Sequence, residues 1–360
     1  MTTDRRTVSP AGRLAHVMHP RTQSMVLSSV EQVSRTCYTF TMRAADGHEL
    51  AYFRAGQYIP IFVEVGGNVI ERPYALSSSP EDSVRGFYQI TVERVDDGFI
   101  SRYICDNWRA GDKVTVGPPR GSDYHTPLRD AGHVIAIAGG VGATPFHSMA
   151  RAIADGTLEH SMTLFYGAGT WADVMFPEKW ERLKEASHGR FDYAVVLETE
   201  DRPGTERGFI TLDLIRRYTD VSDATFFASG SQAMMDHVRS ELAPLGLPRR
   251  RMRLGIGGDS ALVPAQGEAC TITVHQAGET FAVPGRTDET ILKSLEKYGL
   301  RPAVSCRSGV CGWCRAYLIR GDAVITEDES GSRRRDKALG YLHPCCSYPA
   351  GDLEIAVQRP

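Results

Sequence analysis

The sequence has no apolar run that approaches the roughly 20 residues a helix needs to span a membrane. Its longer apolar runs, such as residues 134–138, have only the length of a strand. The first 22 residues carry four arginines but no apolar stretch of the kind that a secretory signal requires. These absences predict a chain that works in the cytoplasm and without a membrane.

Charge of one sign is also scarce. The 360 residues have a formal net charge of −3, from 41 Lys and Arg against 44 Asp and Glu. A strongly basic surface for nucleic acid is therefore not expected. The content of 42% hydrophobic and 24% charged residues is typical of a globular protein, and the length suits two or three domains.

Cysteine is concentrated in one place. Five of the eight cysteines lie between Cys306 and Cys346. In a reducing cytoplasm disulfides are rare, so clustered cysteines indicate a metal or catalytic site. The scattered cysteines, Cys37, Cys105 and Cys270, are expected to be small buried apolar residues.

Two large segments differ in pattern after an N-terminal extension at 1–22. Residues 23–127 contain short β-rich runs separated by turn residues, which predicts an antiparallel β-barrel or sandwich. Residues 128–254 alternate strand and helix patterns, which predicts an α/β doubly wound parallel sheet. In the first segment the predicted strands are 33–43, 57–65 and 87–94, with a helix at 104–109. In the second the predicted strands are 133–138, 162–167, 193–197 and 225–228, and the predicted helices are 145–155, 177–186, 211–218 and 232–244.

The last third of the chain predicts a small separate domain. Residues 255–267 are rich in glycine and predict a linker. Residues 268–360 predict a small β-rich α+β domain that carries the clustered cysteines. Its predicted elements are strands at 270–275 and 279–283 and a helix at 290–298.

The clustered cysteines have the spacing C-x4-C-x2-C from Cys306 through Cys311 to Cys314, and Cys345 and Cys346 follow later. A [2Fe–2S] cluster needs four thiolates, and this is the spacing of plant-type ferredoxins. A structural zinc site also uses four cysteines, but zinc sites usually show two separated pairs. The spacing therefore favours a [2Fe–2S] cluster, with zinc or unliganded thiols as the alternatives.

Residues 267–360 resemble the plant-type ferredoxin domain, of β-grasp-like fold, that is appended to bacterial oxygenase reductases. Residues 302–315 and 341–349 carry the resemblance. In that family the fourth ligand stands four residues before the proline of a Tyr-Pro pair. The resemblance therefore implies the ligand set Cys306, Cys311, Cys314 and Cys345, with Cys346 as the rival.

Three motifs in the β-rich segment indicate a flavin. They are residues 53–58, residues 72–80 and residues 98–101. Arg72 could clamp a phosphate with two hydrogen bonds, and Tyr74 lies on the same strand face, where it could stack on a ring. A glycine followed three residues later by serine at the start of a helix suits an anion. Alone, each motif is weak, because strands routinely carry arginine and tyrosine.

In order and spacing the motifs are similar to the flavin-binding domain of the ferredoxin–NADP reductase superfamily. The resemblance implies flavin contacts from Arg72, Pro73, Tyr74, Ala75, Ser77, Gly98, Ile100, Ser101 and Tyr124. Residues 118–124 resemble the loop that holds the adenine half of FAD, so FAD is expected, with FMN as the alternative. Ala75 departs from the family, which usually has Ser or Thr beside the reactive nitrogen of the flavin.

A glycine-rich run at 138–145 follows a predicted strand and opens a predicted helix. Glycines let the backbone approach a pyrophosphate, and the helix N-terminus supplies N–H donors. The run is similar to the superfamily's Gly-Gly-x-Gly-x-Thr-Pro, and residues 227–235 resemble its Cys-Gly-Pro-x-x-Met segment, with Ser229 for Cys and Ser231 for Pro. The resemblance implies nucleotide contacts from Gly139, Gly140, Gly142, Thr144, Pro145, Ser229, Gly230 and Met234.

Two further features concern the nucleotide. The acidic stretch at 198–201 favours NADH, because a carboxylate suits a ribose hydroxyl whereas a 2′-phosphate requires Arg or Lys. Arg202 and Arg207 are close in sequence and leave NADPH open. The family's usual acidic–aromatic ending is replaced by residues 253–258, for which the sequence offers no explanation.

Together these patterns and the resemblance predict an NAD(P)H:acceptor oxidoreductase that passes electrons through a flavin and a [2Fe–2S] cluster to a terminal oxygenase component. The cofactors carry the redox chemistry, so no side chain is predicted to be catalytic, and only Ala75 and Ser229 are expected near the reacting rings. One alternative is a reductase for a non-oxygenase metalloprotein, such as a hybrid-cluster or corrinoid protein. Another is a redox sensor that is not an enzyme. A monomer is expected.

Overall fold

The computed structural model describes residues 20–96, 98–256, 267–307, 309, 311–325 and 332–358. Nearly all of the predicted N-terminal extension, and most of the linker predicted at 255–267, lie outside these described residues. The chain divides into two compact units. The first comprises Met1–Phe62 and Tyr74–Gly255, and the second comprises Val63–Pro73 and Ile256–Pro360.

An antiparallel sheet of six strands opens the fold. Its strands are β1 (Gln23–Gln32), β2 (Cys37–Ala44), β3 (Tyr58–Val65), β4 (Asn68–Ala75), β5 (Phe87–Glu93) and β6 (Lys113–Val116), and two helices accompany them, α1 (Pro80–Val84) and α2 (Phe99–Asn107). The strand order is β4-β3-β6-β1-β2-β5. Burial alternates along β6, as expected for a sheet with one packed face and one solvated face.

A parallel sheet follows in the first unit. Its strands are β7 (His133–Gly139), β8 (Ser161–Ala168), β9 (Phe191–Leu197), β10 (Glu206–Arg207), β11 (Thr225–Gly230) and β12 (Met252–Ile256). Its helices are α3 (Thr144–Ala154), α4 (Pro177–Ala186), α5 (Leu212–Tyr218) and α6 (Gln232–Leu242). Strand β7 is an unbroken run of small and branched apolar residues because helices cover both faces of the sheet.

The strand order of this sheet is β10-β9-β8-β7-β11-β12. Strand β7 pairs in parallel with β8 on one side and with β11 on the other. The order of the strands therefore reverses at β7. In open α/β sheets a ligand binds beyond the carboxyl ends of the strands at such a switch point.

The second unit contains a mixed sheet and two helices. Its strands are β13 (Ala269–Gln276), β14 (Glu279–Arg286), β15 (Ala316–Arg320), β16 (Ala323–Ile325), β17 (Tyr341–Leu342), β18 (Ser347–Pro349) and β19 (Leu353–Val357), and its helices are α7 (Ile291–Tyr298) and α8 (Ser332–Ala338). Five strands pair in the order β14-β13-β19-β15-β17, and β16 pairs with β18. Helix α7 packs Ile291 and Leu295 into the core and ends at Gly299, whose φ of 94° suits the left-handed position after a helix.

The predicted fold class is confirmed: an antiparallel flavin-type barrel, a doubly wound parallel sheet and a small α+β domain. The helix predicted at 177–186 coincides with α4. Other predictions were wrong in detail. The helix predicted at 104–109 instead runs from Phe99 to Asn107, and the strand predicted at 33–43 begins only at Cys37. Strands β1, β4, β6 and β12 carried no strand prediction. No helix within the described ranges is long and apolar enough to cross a membrane.

Candidate functional site

The predicted cluster ligands come from three places in the second unit. Cys306 and Cys311 lie in the loop that precedes β15, Cys314 lies two residues before that strand, and Cys345 lies in a 3-10 turn at Pro344–Cys346. Cys314 and Cys345 are buried, whereas Cys311 is exposed. The fold therefore brings residues that are far apart in sequence to one end of the unit.

The four sulfur atoms form two pairs. The Sγ atoms of Cys314 and Cys345 are 3.4 Å apart, which is far longer than a disulfide bond. The backbone N–H of Cys311 donates to Sγ of Cys306 at 3.4 Å. Within the described part of the chain, no three His, Cys, Asp or Glu side chains converge on a single metal position. The four thiols are the number of ligands that a [2Fe–2S] cluster needs.

One thiol of each pair, that of Cys311 and that of Cys345, has a raised pKa. The hydrogen bond with Cys306, followed by burial, raises the pKa of Cys311. The hydrogen bond with Cys314 is the largest cause that raises the pKa of Cys345. Crowded thiols of this kind become thiolates when a metal centre supplies positive charge. The donor set therefore fits an iron–sulfur cluster.

Cys346 has different surroundings. Its side chain is fully buried, and its Sγ donates to the carbonyl oxygen of His343 at 3.5 Å. The contact with Cys314 at 3.4 Å is made by Cys345. The thiol of Cys346 is also hydrogen-bonded to that of Cys345, so the two are neighbours, and the contact with Cys314 is the observation that favours Cys345 as the fourth ligand. The scattered cysteines Cys37, Cys105 and Cys270 are buried, as predicted, and burial raises the pKa of Cys105 to about 12.

Arg307, next to Cys306, anchors the cysteine loop. It has a positive φ of 56°, uncommon outside glycine, and its side chain is buried. Its Nε donates to the carbonyl oxygen of Glu71 at 2.8 Å, and its guanidinium pairs with Glu296. Glu296 also pairs with Nη1 of Arg72 at 3.2 Å. The arginine that the resemblance assigns to the flavin phosphate therefore has a carboxylate partner within the second unit.

Strand β4 carries Arg72, Pro73, Tyr74 and Ala75, all partly exposed. Beyond it, Ser77 is buried, and each of its polar groups has a protein partner. Its N–H donates to Gln89, its hydroxyl accepts from Thr91 at 3.3 Å, and its carbonyl faces Nδ1 of His147 at 2.8 Å. The structure thus uses Ser77 to hold the chain that follows β4.

Helix α2 starts at the third predicted flavin motif. Gly98 is its N-cap residue, and a Cβ at that position would collide with the hydroxyl of Ser101. The first bond along the helix is donated by Arg102 to Gly98, so the N–H groups of residues 99–101, which include Ile100, precede the intrahelical ladder. Such N–H groups and the helix dipole suit an anion such as a phosphate.

The loop predicted to hold the adenine half of FAD is fixed to residues 54–58. The guanidinium of Arg54 lies 4.7 Å from the ring centre of Tyr124. Gln57 donates to the carbonyl oxygen of Gly121 at 3.1 Å. A Cβ on Gly56 would collide with the carbonyl oxygen of Asp123, so only glycine permits this approach.

The predicted nicotinamide residues meet at the switch point of the parallel sheet. The glycine-rich turn Gly140–Ala143 follows β7, and Ser229 and Gly230 end the neighbouring strand β11. A Cβ on Gly142 would collide with the carbonyl oxygen of Ser229, and a Cβ on Gly139 or Gly230 would collide with Sδ of Met234. The glycines therefore let the two strand ends close on each other.

The start of α3 stiffens this turn. The hydroxyl of Thr144 donates to the carbonyl oxygen of Val141 at 2.7 Å, and Pro145 occupies the first turn of the helix. Proline fits there because the N–H it lacks would have no partner within the helix. The turn thus presents a fixed backbone at the end of β7.

Residues beyond β8 and β9 form the edge of the same cleft. Glu198 donates its N–H to Ala168 at 3.0 Å, and the carboxylate of Glu200 accepts the N–H of Trp171 at 2.7 Å. The guanidinium of Arg202 lies 4.3 Å from the ring centre of Trp171. Glu200 of the acidic stretch and Arg202 therefore both contact Trp171. Arg202 is one of the two arginines that left NADPH as an alternative.

Helix α3 also fastens the chain beyond β4, a role that the sequence did not suggest. The hydroxyl of Ser148 donates to the carbonyl oxygen of Ser78 at 2.6 Å, and Arg151 pairs with the buried Asp82 at 2.5 Å. His147 stacks on Phe176 with ring centres 4.2 Å apart. The sequence holds one signal for this role: polar residues stand on the helix face that packs against the protein, where apolar residues are expected.

Three family models match most of the chain. Residues 24–124 match the oxidoreductase FAD-binding domain, residues 136–240 match the oxidoreductase NAD-binding domain, and residues 274–350 match the 2Fe-2S iron-sulfur cluster binding domain. The order of the three domains is the one predicted from the motifs. The chain belongs to the ferredoxin–NADP reductase superfamily.

Several known proteins are similar to this chain over most of its length. The chain is 27% identical over 332 residues to the glycine betaine monooxygenase reductase subunit of Chromohalobacter salexigens, which covers 86% of this chain and 89% of that protein. It is 26% identical over 309 residues to the NADH oxidoreductase HCR of Escherichia coli, covering 86% and 90%. The crystal structure of phthalate dioxygenase reductase has a TM-score of 0.70 at 23% identity and covers 94% of this chain and 98% of that chain.

Membership of the superfamily confirms the predicted types of cofactor, which are FAD, a nicotinamide nucleotide and a [2Fe–2S] cluster. It also makes the departures of this member informative. Ser231, which replaces the family's proline, is the N-cap of α6, and its hydroxyl accepts the N–H of Met234 at 3.3 Å. Serine is a strong N-cap residue. The hydroxyl of Ser231 therefore stabilises the start of α6, which a proline would favour through its fixed φ.

The unusual end of the nicotinamide domain in this superfamily member has a structural reason. Arg253, in β12, pairs with Asp130 at 2.6 Å; the side chain of Asp130 is fully buried and that of Arg253 is 9% exposed. Its guanidinium also lies 5.3 Å from the ring centre of Phe227. The buried ion pair ties the end of the domain to its beginning.

Proposed function

We propose that this chain is an NADH-dependent reductase that supplies electrons to a terminal oxygenase component. The observation that carries the proposal is the arrangement of the four cysteine sulfurs in two pairs, because a chain with FAD and NAD domains needs a one-electron carrier to serve such a partner. The relative from Chromohalobacter salexigens is named as the reductase subunit of a monooxygenase.

FAD would take an electron pair from NADH as a hydride, and a [2Fe–2S] cluster would carry the electrons onward one at a time. The protein's part is to hold these groups and exclude others. Cys306, Cys311, Cys314 and Cys345 are the proposed iron ligands. The glycines at the switch point give the pyrophosphate of NADH access to backbone N–H groups, and Ser229 lines the nicotinamide end.

On the flavin side, Tyr74 is proposed to stack on the ring, and the N-terminus of α2 at Gly98–Ser101 is proposed to receive a phosphate oxygen. Tyr124, held under Arg54, is proposed to face the adenine. NADH is preferred over NADPH because Glu200 places a carboxylate beside the end of β8 and Arg202 already lies on Trp171.

Anaerobic titration of the purified holoprotein tests the proposal. Extraction should release FAD, and iron and sulfide should each be present at two per chain. NADH should bleach the flavin and cluster absorbance with about 1.5 equivalents, because FAD takes two electrons and the cluster takes one. NADPH should act far more slowly. A preparation with no iron, or one that NADH does not reduce, would contradict the proposal.

A second candidate acceptor is a metalloprotein that is not an oxygenase. The similarity to the NADH oxidoreductase HCR, which covers 90% of that protein, favours this alternative. A panel of purified acceptors separates the two. Faster reduction of a Rieske, diiron or haem oxygenase component than of a hybrid-cluster or corrinoid protein supports the first, and the reverse order supports the second.

A further inference from the structure

His343 lies two residues before Cys345, and its imidazole is almost completely buried. Both ring nitrogens have partners. Nδ1 is 2.8 Å from the carbonyl oxygen of Gly309, and Nε2 is 2.6 Å from Oδ2 of Asp336. Since a carbonyl oxygen can only accept, Nδ1–H donates to Gly309. The ring therefore bridges the cysteine loop and helix α8.

The bridge continues beyond Asp336. The other carboxylate oxygen of Asp336 accepts from Nη1 of Arg315 at 3.3 Å. The guanidinium of Arg315 also lies 4.6 Å from the ring centre of Tyr341, in β17. Asp336 thus holds His343 through one oxygen and Arg315 through the other.

Each end of this bridge lies beside a proposed cluster ligand. Gly309 stands between Cys306 and Cys311, Arg315 follows Cys314, and His343 precedes the turn that carries Cys345. The three chain segments that supply the four thiols are therefore joined by hydrogen bonds that do not involve sulfur. A cluster requires its four ligands at fixed separations, and residues behind the ligands commonly fix them.

We propose that His343 and Asp336 are positioning residues that hold the Cys306–Cys311 loop against the Cys345 turn. The inference rests on the proposed ligand set. Gly309 is buried and has a φ of 72°, and its carbonyl oxygen accepts from Nδ1 of His343, so the bond meets the need of a buried carbonyl for a donor. Loss of that donor should loosen the loop, shorten the lifetime of the cluster and alter its spectrum.

Two near-isosteric variants separate the two hydrogen bonds. The amide nitrogen of His343→Asn takes the place of Nδ1 and keeps the bond to Gly309, whereas that of His343→Gln takes the place of Nε2 and keeps the bond to Asp336. His343→Asn should retain the wild-type electron paramagnetic resonance line shape after dithionite reduction. His343→Gln should change it and should lose visible absorbance under an iron chelator about tenfold faster.

Asp336→Asn tests the far end of the bridge and is expected to shorten the lifetime of the cluster by a smaller factor. It also decides the matter if neither His343 variant assembles a cluster. His275→Asn is the matched control, because His275 is bonded to Glu354 at 2.7 Å in the same unit, on a strand that carries no ligand. In His275→Asn the cluster lifetime and the line shape should equal those of the wild type.

Equal chelation rates and line shapes for His343→Asn and His343→Gln would overturn the inference. If neither of those variants holds a cluster, a wild-type cluster lifetime in Asp336→Asn would overturn it. Wild-type protein without iron would instead overturn the proposed function. FAD content and NADH-dependent ferricyanide reduction, measured in every variant, show that the flavin part remains intact.

Discussion

At the residue scale, the cysteine spacing predicts Cys306, Cys311 and Cys314 as ligands, and the family resemblance implies Cys345 as the fourth, with Cys346 as the rival. The spacing alone cannot choose between two adjacent cysteines, but the fold gives them different contacts. Sγ of Cys345 contacts Cys314, and Sγ of Cys346 contacts a backbone carbonyl. The residues that brace the loop, His343 and Asp336, had no signal in the sequence because their partners are set by folding.

The first prediction concerns that choice. Cys345→Ser should lose the visible absorbance of the cluster and most of the bound iron, because a serine hydroxyl is a poor replacement for a thiolate ligand of iron. Cys346→Ser should keep both. Iron analysis and the absorbance spectrum of the two purified variants measure the difference, and the reverse pattern would place the fourth ligand at Cys346.

A second prediction concerns the nucleotide cradle. In Gly142→Ala the added methyl group meets the carbonyl oxygen of Ser229, and crowding of this kind costs about 1–3 kcal/mol of stability. Thermal unfolding should show the loss, and the concentration of NADH needed to reduce the flavin should rise.

Gly132→Ala is the control for this variant, because a Cβ there meets no atom within 4 Å. It should leave both the unfolding temperature and NADH binding unchanged. If Gly142→Ala behaved in the same way, the close approach of the two strand ends would be unimportant.

At the scale of elements, the sequence predicted what has a strong local pattern. Strand β7 is an apolar run bounded by glycine, and α4 begins at a proline. Strand β1 has four apolar residues among ten and a register shift near Leu27, which weakens its alternation. Helix α1 has only five residues and is defined by the capping box of Ser79 and Asp82 rather than by periodicity.

The polar face of α3 gives a prediction at this scale. The hydroxyl of Ser148 is fully buried and donates to Ser78, so Ser148→Ala would leave a buried carbonyl without that donor. The free energy of unfolding should fall by about 1–3 kcal/mol. Ser28→Ala is the control, since the hydroxyl of Ser28 makes the same kind of bond to Thr41 in an exposed position. Equal effects of the two changes on denaturant unfolding would contradict this account of α3.

At the scale of the whole molecule, the first unit buries two histidines in a form that resists protonation. Burial lowers the pKa of His147 and of His160 from 6.5 to about 3. Within the described residues, Nε2 of His147 and both ring nitrogens of His160 have no hydrogen-bond partner. His160 stacks on His125 with ring centres 3.9 Å apart. His160 is held by packing, and His147 is held by packing and by the bond between Nδ1 and the carbonyl oxygen of Ser77. In both rings a second proton would place a charge where no carboxylate compensates it.

This burial predicts acid sensitivity with a definite sign. Because the pKa values in the folded chain lie below that of an exposed histidine, the unfolded chain binds more protons as the pH falls below 6.5. Stability is therefore complete above pH 6.5 and is lost as the pH falls from 6.5 towards 3, at up to about 1.4 kcal/mol per pH unit for each histidine. Denaturant midpoints measured between pH 8 and pH 5 should decrease steeply, before most carboxylates titrate.

His160→Phe separates this effect from general acid denaturation, because phenylalanine can keep the stacking on His125 without a proton site. In the variant, the slope of unfolding free energy against pH should be smaller by the contribution of one titrating histidine. The variant should therefore be more stable than the wild type at pH 5. If His160→Phe kept the wild-type slope, the buried histidine would not be a source of the acid sensitivity, and the loss of stability would have to come from groups elsewhere in the chain.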